Sequence, residues 1–245
     1  MDRRTAEGAL LIALGGRCIE YRFLRRRRRT IGISVDANGL TVSAPLRAPW
    51  REIEAFLHQK ERWIVRKLEE WARLPRPAIV RGESGESLPL FGSPVTLEVS
   101  TGRRAVYRQP ERLFVRAPSP QRVAKVLIGW LKSEALEALT PRAAHYAARL
   151  EVAPPRVALS NARTQWGVCT EDRAIRLSWR LVHLEPRLAD YVVAHEVAHL
   201  VELNHSKRFW TLLARLYPEW RRARHQLELA GASLPIIEWF AMRTS

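Results

Sequence analysis

The chain has 245 residues, with 41 Lys and Arg against 25 Asp and Glu and a net charge of +16. Hydrophobic residues make up 47%, which excludes a wholly disordered chain and allows one large domain or two small ones. The two cysteines, Cys18 and Cys169, exclude a disulfide framework and fit a reducing cytoplasm, and no apolar run reaches the length of a membrane span.

Residues 8–14 are apolar and follow Arg3 and Arg4, a weak imitation of a signal peptide. The stretch is too short to span a bilayer and lacks a small-x-small cleavage site, so an N-terminal strand or a disordered start is expected. Residues 19–23, 30–35 and 40–44 read as strands, the last two joined by a turn with Asn38-Gly39 as its hairpin signal. Ile53, Phe56, Leu57, Trp63, Ile64 and Leu68 recur at helical spacing and predict one helix over residues 50–72, with Pro49 at its start. Strands follow at 87–90, 95–99, 105–107 and 113–116, punctuated by proline and glycine. Residues 121–150 form a helix whose core stripe includes Val126, Leu127, Trp130 and Leu131. Pro118-Ser119-Pro120 marks a boundary, giving a basic β-rich domain with one long helix at 1–118 and a second domain at 119–245. No internal repeat is evident.

In the second domain, residues 156–160, 164–169 and 175–179 read as strands, with Glu171-Asp172-Arg173 as a polar break. A small sheet of this kind offers an edge to an extended peptide, read through its backbone with broad side-chain tolerance. A helix then runs from Pro186 through His195-Glu196-Val197-Ala198-His199. His195 and His199 lie one turn apart on the same face and can reach one metal ion. Glu196 projects beside them, placed to touch a water on that metal, which is the H-E-x-x-H arrangement of zinc hydrolases. A third protein ligand is needed. His205 supplies it if the helix breaks after Glu202 and the chain turns back through Asn204 in a left-handed conformation. Glu219 or Glu228 from a following helix is the alternative, and the short turn favours His205. A single zinc ion would lower the pKa of its water, and Glu196 would take the proton and return it to the leaving amine. Cys169 has no partner at metal spacing and reads as a small buried residue.

Residues 160–220 resemble the YgjP-like metallopeptidases, relatives of the minigluzincins and of the SprT and Spartan type proteases. The resemblance rests on four blocks in order: Arg163-Thr164-Gln165-Trp166-Gly167-Val168-Cys169, Ile175-Arg176-Leu177-Ser178-Trp179-Arg180-Leu181, the segment from Asp190 to Leu200, and Asn204-His205-Ser206-Lys207-Arg208-Phe209-Trp210 with Tyr217-Pro218 behind it. It implies zinc bound by His195, His199 and His205, with Glu196 as general base. It implies an α+β protein whose β-rich N-terminal half precedes a mainly helical zincin-like catalytic domain with a small antiparallel sheet. The family usually has Ser-Arg-Trp-Gly-Ser-Cys where Thr164-Gln165-Trp166-Gly167-Val168-Cys169 stands, so substrate contacts there differ. Arg163, Trp166, Arg180, Tyr217 and His225 are candidates for oxyanion or substrate contacts.

The arginine run from Arg25 to Arg29 opens a second reading, nonspecific nucleic-acid binding through the basic N-terminal half, with the protease acting on bound proteins. The plainer reading of that run is a solvated strand edge that resists aggregation. The expected partners are a peptide or protein substrate and no membrane.

Overall fold

A computed structural model of the chain describes residues 8–36, 38–74, 77–162 and 165–238. The chain divides into two compact units, Met1–Arg76 and Pro77–Ser245. The division falls at Arg76 and not near Pro118. Leu97, Leu113 and Val115 share one hydrophobic core with Leu127, Leu131 and Val193, so the strands before Pro118 belong with the helices after it.

In the first unit, strands β1 (Gly8–Leu14), β2 (Arg17–Arg26), β3 (Gly32–Asp36) and β4 (Gly39–Pro45) form a sheet in the order β1-β2-β4-β3. The apolar start of the chain is thus a strand. Alternation puts Tyr21 and Phe23, and Leu40, Val42 and Ala44, on the inner face. They pack with Ile53, Leu57 and Ile64 in one core. The single helix expected over 50–72 is two, α1 (Trp50–Gln59) and α2 (Glu61–Ala72), parted at Lys60, whose φ of −98° and ψ of 5° leave the helical region.

The arginine run is partly used inside this unit. Arg25 Nη1 donates to the carbonyls of Pro45 (2.8 Å) and Ala48 (2.7 Å), and its guanidinium lies over the rings of Phe23 and Trp50. Arg28 donates to the Ser43 hydroxyl. Strand β2 is interior to its sheet, and its described pairing with β1 ends at Phe23, before the run begins. The charge is also not concentrated here. Residues 1–76 hold 17 Lys and Arg against 9 Asp and Glu, and residues 77–245 hold 24 against 16, +8 in each.

The second unit begins with β5 (Ile79–Val80). A sheet of β6 (Ser87–Leu90), β7 (Ser93–Thr101), β8 (Ala105–Arg108) and β9 (Arg112–Ala117) follows, in the order β6-β7-β9-β8. Its inner face packs on α3 (Val123–Arg149). The topology repeats that of the first unit: the first pair is antiparallel, the second and fourth strands are parallel, and the third and fourth are antiparallel. The fourth strands carry one signature, Leu40-x-Val42-x-Ala44-Pro45 and Leu113-x-Val115-x-Ala117-Pro118, with Leu, Val and Ala buried in both. An internal repeat is therefore present. It escapes a reading of the sequence because little outside this inward-facing pattern is shared.

A second, smaller sheet has the order β10-β12-β11, built from β10 (Val157–Ser160), β11 (Gly167–Cys169) and β12 (Ile175–Ser178). It is mixed and not purely antiparallel, since β10 runs parallel to β12. A 3₁₀ turn at Trp179–His183 leads into α4 (Pro186–Ala198), followed by α5 (Lys207–Leu216) and α6 (Trp220–Ala232). The chain ends its described course in β13 (Ile236–Ile237), which pairs in parallel with β5. Among the described residues no helix is long and apolar enough to cross a membrane.

Candidate metal centre

Helix α4 carries the site because its other faces are anchored. Leu188, Tyr191, Val192, Val193 and Val197 are buried around it, and Pro186 occupies its first turn, where the missing N–H costs no hydrogen bond. The helix ends at Ala198, a turn earlier than expected, with His199 as its C-terminal cap. Asn204 is not among the residues with positive φ, so the reversal does not use a left-handed asparagine. It uses local bonds: Glu202 N–H donates to the Ala198 carbonyl (3.0 Å) and Ser206 N–H to the Asn204 carbonyl (2.6 Å). Ser206 then caps α5 by accepting from Phe209 N–H.

This reversal brings His205 back onto α4. The ligand atoms of His195, His199 and His205 all lie within 4.8 Å of one another, and the Nε2 atoms of His195 and His205 are 3.0 Å apart. Among the described residues this is the one cluster of three or more such groups. Glu219 and Glu228 are not in it. Glu219 caps α6, and Glu228 lies 3.7 Å from Arg224 and 4.0 Å from His225.

Two side chains and one backbone carbonyl hold the imidazoles in place. Phe209, fully buried, sets its ring against all three, at centroid distances of 4.9 Å to His195, 4.5 Å to His199 and 4.7 Å to His205. His199 Nδ1 meets the Glu202 carbonyl at 3.0 Å, which places the proton on Nδ1 and leaves the Nε2 lone pair for a ligand. The Trp210 indole stacks on the ring of His205 at 5.4 Å and donates Nε1–H to the His205 carbonyl at 3.1 Å.

The donor set fits a divalent cation of zinc type. Burial, then the neighbouring imidazoles of His199 and His205, then Arg224, push the pKa of His195 down to about 3. Burial lowers that of His199 as well. Both rings are therefore neutral at pH 7, the form that binds a metal. Three imidazoles converging on one point, with a carboxylate beside them that is not in the cluster, match the ligand count of a catalytic zinc site.

Glu196 is that carboxylate. It is 6% exposed, and burial raises its pKa to about 7, opposed by the backbone N–H of Cys169 that it accepts. Burial also raises the Cys169 thiol, with Glu196 adding to the effect, so Cys169 is a protonated neighbour and not a ligand. Glu196 and His195 open onto a cavity of about 300 Å³. Trp166 and Gly167 wall it on the β11 side, and Arg224, Leu227 and Glu228 on the α6 side.

The other candidates from the sequence separate cleanly. Trp166 lines the cavity. Arg180 lies over Trp179 and donates to the carbonyls of Asn161 and Ala162, outside the cavity lining. The Tyr217 hydroxyl donates to the Arg187 carbonyl. His225 sits on α6 beside Glu228. Arg163 lies outside the described residues. Sequence reasoning missed Arg224, which stands in an arginine-rich stretch with nothing to set it apart. Its spacing of four from Trp220, and of three and four to Leu227 and Glu228, is the signal that places it on the cavity face.

No curated protein and no solved structure matches the chain. The sequence model of the YgjP-like metallopeptidase domain does match it, over residues 29–230. With most of its length covered by that match, the chain belongs to the family of YgjP-like metallopeptidases.

Proposed function

We propose that this protein is a zinc-dependent peptidase that hydrolyses peptide bonds with Glu196 as general base. The reading is carried by one juxtaposition: a buried carboxylate that is not part of the histidine cluster opens onto the same cavity as His195. His195, His199 and His205 would hold the ion. When bound, the ion supplies Lewis acidity, acidifying a water and polarising the scissile carbonyl.

The protein's own groups do the rest. Glu196 takes a proton from the attacking water and delivers it to the leaving amine. The N–H of Cys169 keeps the carboxylate turned into the cavity. Strand β11 is an outer strand of its sheet, and the backbone groups of its edge that Glu196 does not use would receive an extended peptide, as strand addition. Recognition there runs through backbone and tolerates many sequences.

The test pairs metal analysis with peptide hydrolysis for wild type, Glu196→Gln and His205→Ala. Glu196→Gln should keep about one zinc and lose at least ~10²-fold in rate. His205→Ala should lose zinc. Zinc at full occupancy in His205→Ala overturns the third ligand, and undiminished hydrolysis by Glu196→Gln overturns the general base.

A second reading, nonspecific nucleic-acid binding by the first unit, draws support from Arg26, Arg27 and Arg29, which remain exposed at the end of β2. A filter-binding titration against salt decides it, since retention by about three phosphate contacts gives log K a slope near −3 in log salt. No retention at low salt ends that reading.

A further inference from the structure

Among the described residues that line the cavity holding His195 and Glu196, Arg224 is the one permanent cation. It projects from α6 into the lining of the cavity that Glu196, held by the N–H of Cys169, also lines. Two contacts set its position. Its guanidinium lies over the ring of Trp210 at 5.8 Å, the indole that also stacks on His205, and Glu228 one helical turn later stands 3.7 Å from its Nε. Trp210 in turn stacks on Trp220 at 4.4 Å, a column that fixes the height of α6 over the histidines. Arg224 is half exposed, so its N–H groups keep free directions toward the cavity.

We propose that Arg224 is a catalytic residue that donates hydrogen bonds to the carbonyl oxygen of the scissile peptide bond as that oxygen gains charge. The inference rests on the hydrolytic reading of the site. In the step concerned, the water oxygen bonds to the carbonyl carbon, the water proton passes to Glu196, and the carbonyl π pair moves onto oxygen. Arg224 neither gains nor loses a proton, because a guanidinium stays charged in any usable pH range. It adds fixed positive charge to the cavity in which the base acts. Such preorganised donors act on the transition state more than on the bound substrate. The guanidinium's neighbours hold it ready: the aromatic face of Trp210 leaves N–H edges free, and Glu228 approaches Nε at 3.7 Å.

The experiment compares wild type, Arg224→Met and Arg224→Lys, each loaded with zinc, on a peptide substrate, with the affinity of a phosphinic peptide measured by calorimetry. Arg224→Met should lower kcat by about 10²–10³-fold with KM changed little, at unchanged zinc content. The phosphinic peptide, which mimics the tetrahedral oxygens, should lose affinity by a comparable factor. Arg224→Lys, which keeps the charge but not the fork of donors, should recover part of both losses.

A loss confined to KM, a kcat within twofold of wild type, or zinc lost from Arg224→Met overturns the proposal and leaves the peptidase reading standing. Equal deficits in Arg224→Met and Arg224→Lys with unweakened phosphinic peptide binding overturn it as well. Wild-type protein that binds zinc and cleaves no peptide removes the hydrolytic reading itself, and this inference with it.

Discussion

Gly167 faces the side chain of Glu196 so closely that a Cβ built on it would lie 2.5 Å from Glu196 Cγ and 2.7 Å from Oε1. The glycine is required by the neighbour and not by its backbone, which lies in strand β11. Gly167→Ala should therefore push the carboxylate out of line while leaving the histidines untouched. Hydrolysis should fall by ~10²-fold, as an ångström of misplacement costs. Metal analysis should still find one zinc per chain. A Gly167→Ala protein with wild-type kcat would show that Glu196 has room to move.

Trp210 acts on the least supported of the three histidines proposed as ligands. His205 is exposed and stands in the connection to α5, whereas His195 lies within α4 and His199 caps it. Losing the indole removes both a ring stack and the hydrogen bond to the His205 carbonyl. Trp210→Ala should weaken zinc affinity about 10–100-fold, measured by competition with a chromophoric chelator. Trp210→Phe, which keeps a ring but no N–H, should fall between the two.

The buried His183 gives stability a pH dependence of known sign. Its Nδ1–H donates to the Pro89 carbonyl at 2.7 Å, and burial pushes its pKa down to about 4. In the unfolded chain the same ring takes up a proton below about pH 6.5. Between the two values the unfolded state binds the extra proton. The stability that this residue allows is thus complete above about pH 6.5 and declines as pH falls toward 4, by on the order of 3 kcal/mol at most. Asparagine can keep a donor for Pro89 without titrating. In chelator-treated protein, urea midpoints at pH 7 and pH 4.5 should differ less for His183→Asn than for wild type.

Gly92 joins the strand pair β6–β7 to the start of α4. Its φ is +82°, and an added Cβ would lie 2.8 Å from Glu185 Cγ and 3.0 Å from Glu185 Cα. Next to it, Phe91 N–H donates to the Val182 carbonyl at 2.7 Å. Gly92→Ala combines positive φ with a backbone clash and should cost about 1–3 kcal/mol in a denaturant titration. A change below about 0.5 kcal/mol would mean that α4 tolerates a shift of its first turn.

What could be read from the sequence followed from local rules. The alternation in Leu40-Thr41-Val42-Ser43-Ala44 and the period of α3 locate buried strands and helices, because each inward position repeats at a fixed spacing. His195 and His199 are legible for the same reason, being one helical turn apart. His205 needed a turn whose existence was readable but whose geometry was not, since Asn204 gave a plausible αL position that the chain does not use. Lys60 shows a comparable limit: apolar periodicity runs through it unbroken while the backbone does not. Arg224 and Gly167 depend on what lies across the cavity, and no window of sequence contains both sides. The domain boundary failed for a related reason, as Pro118 ends a strand without ending the core that the strand belongs to.

The doubled four-strand scaffold has a consequence for how this chain can change. Leu113, Val115 and Ala117 belong to the copy whose core also anchors α4, so their substitution reaches the histidines through packing. Leu40, Val42 and Ala44 do the same structural task in a core of their own that contains no residue of the metal centre. One copy thereby shares its core with the helix of the histidine cluster, and the other keeps a core of its own. Of the two copies, the one around Leu113 is therefore the one whose packing can tune the histidine cluster.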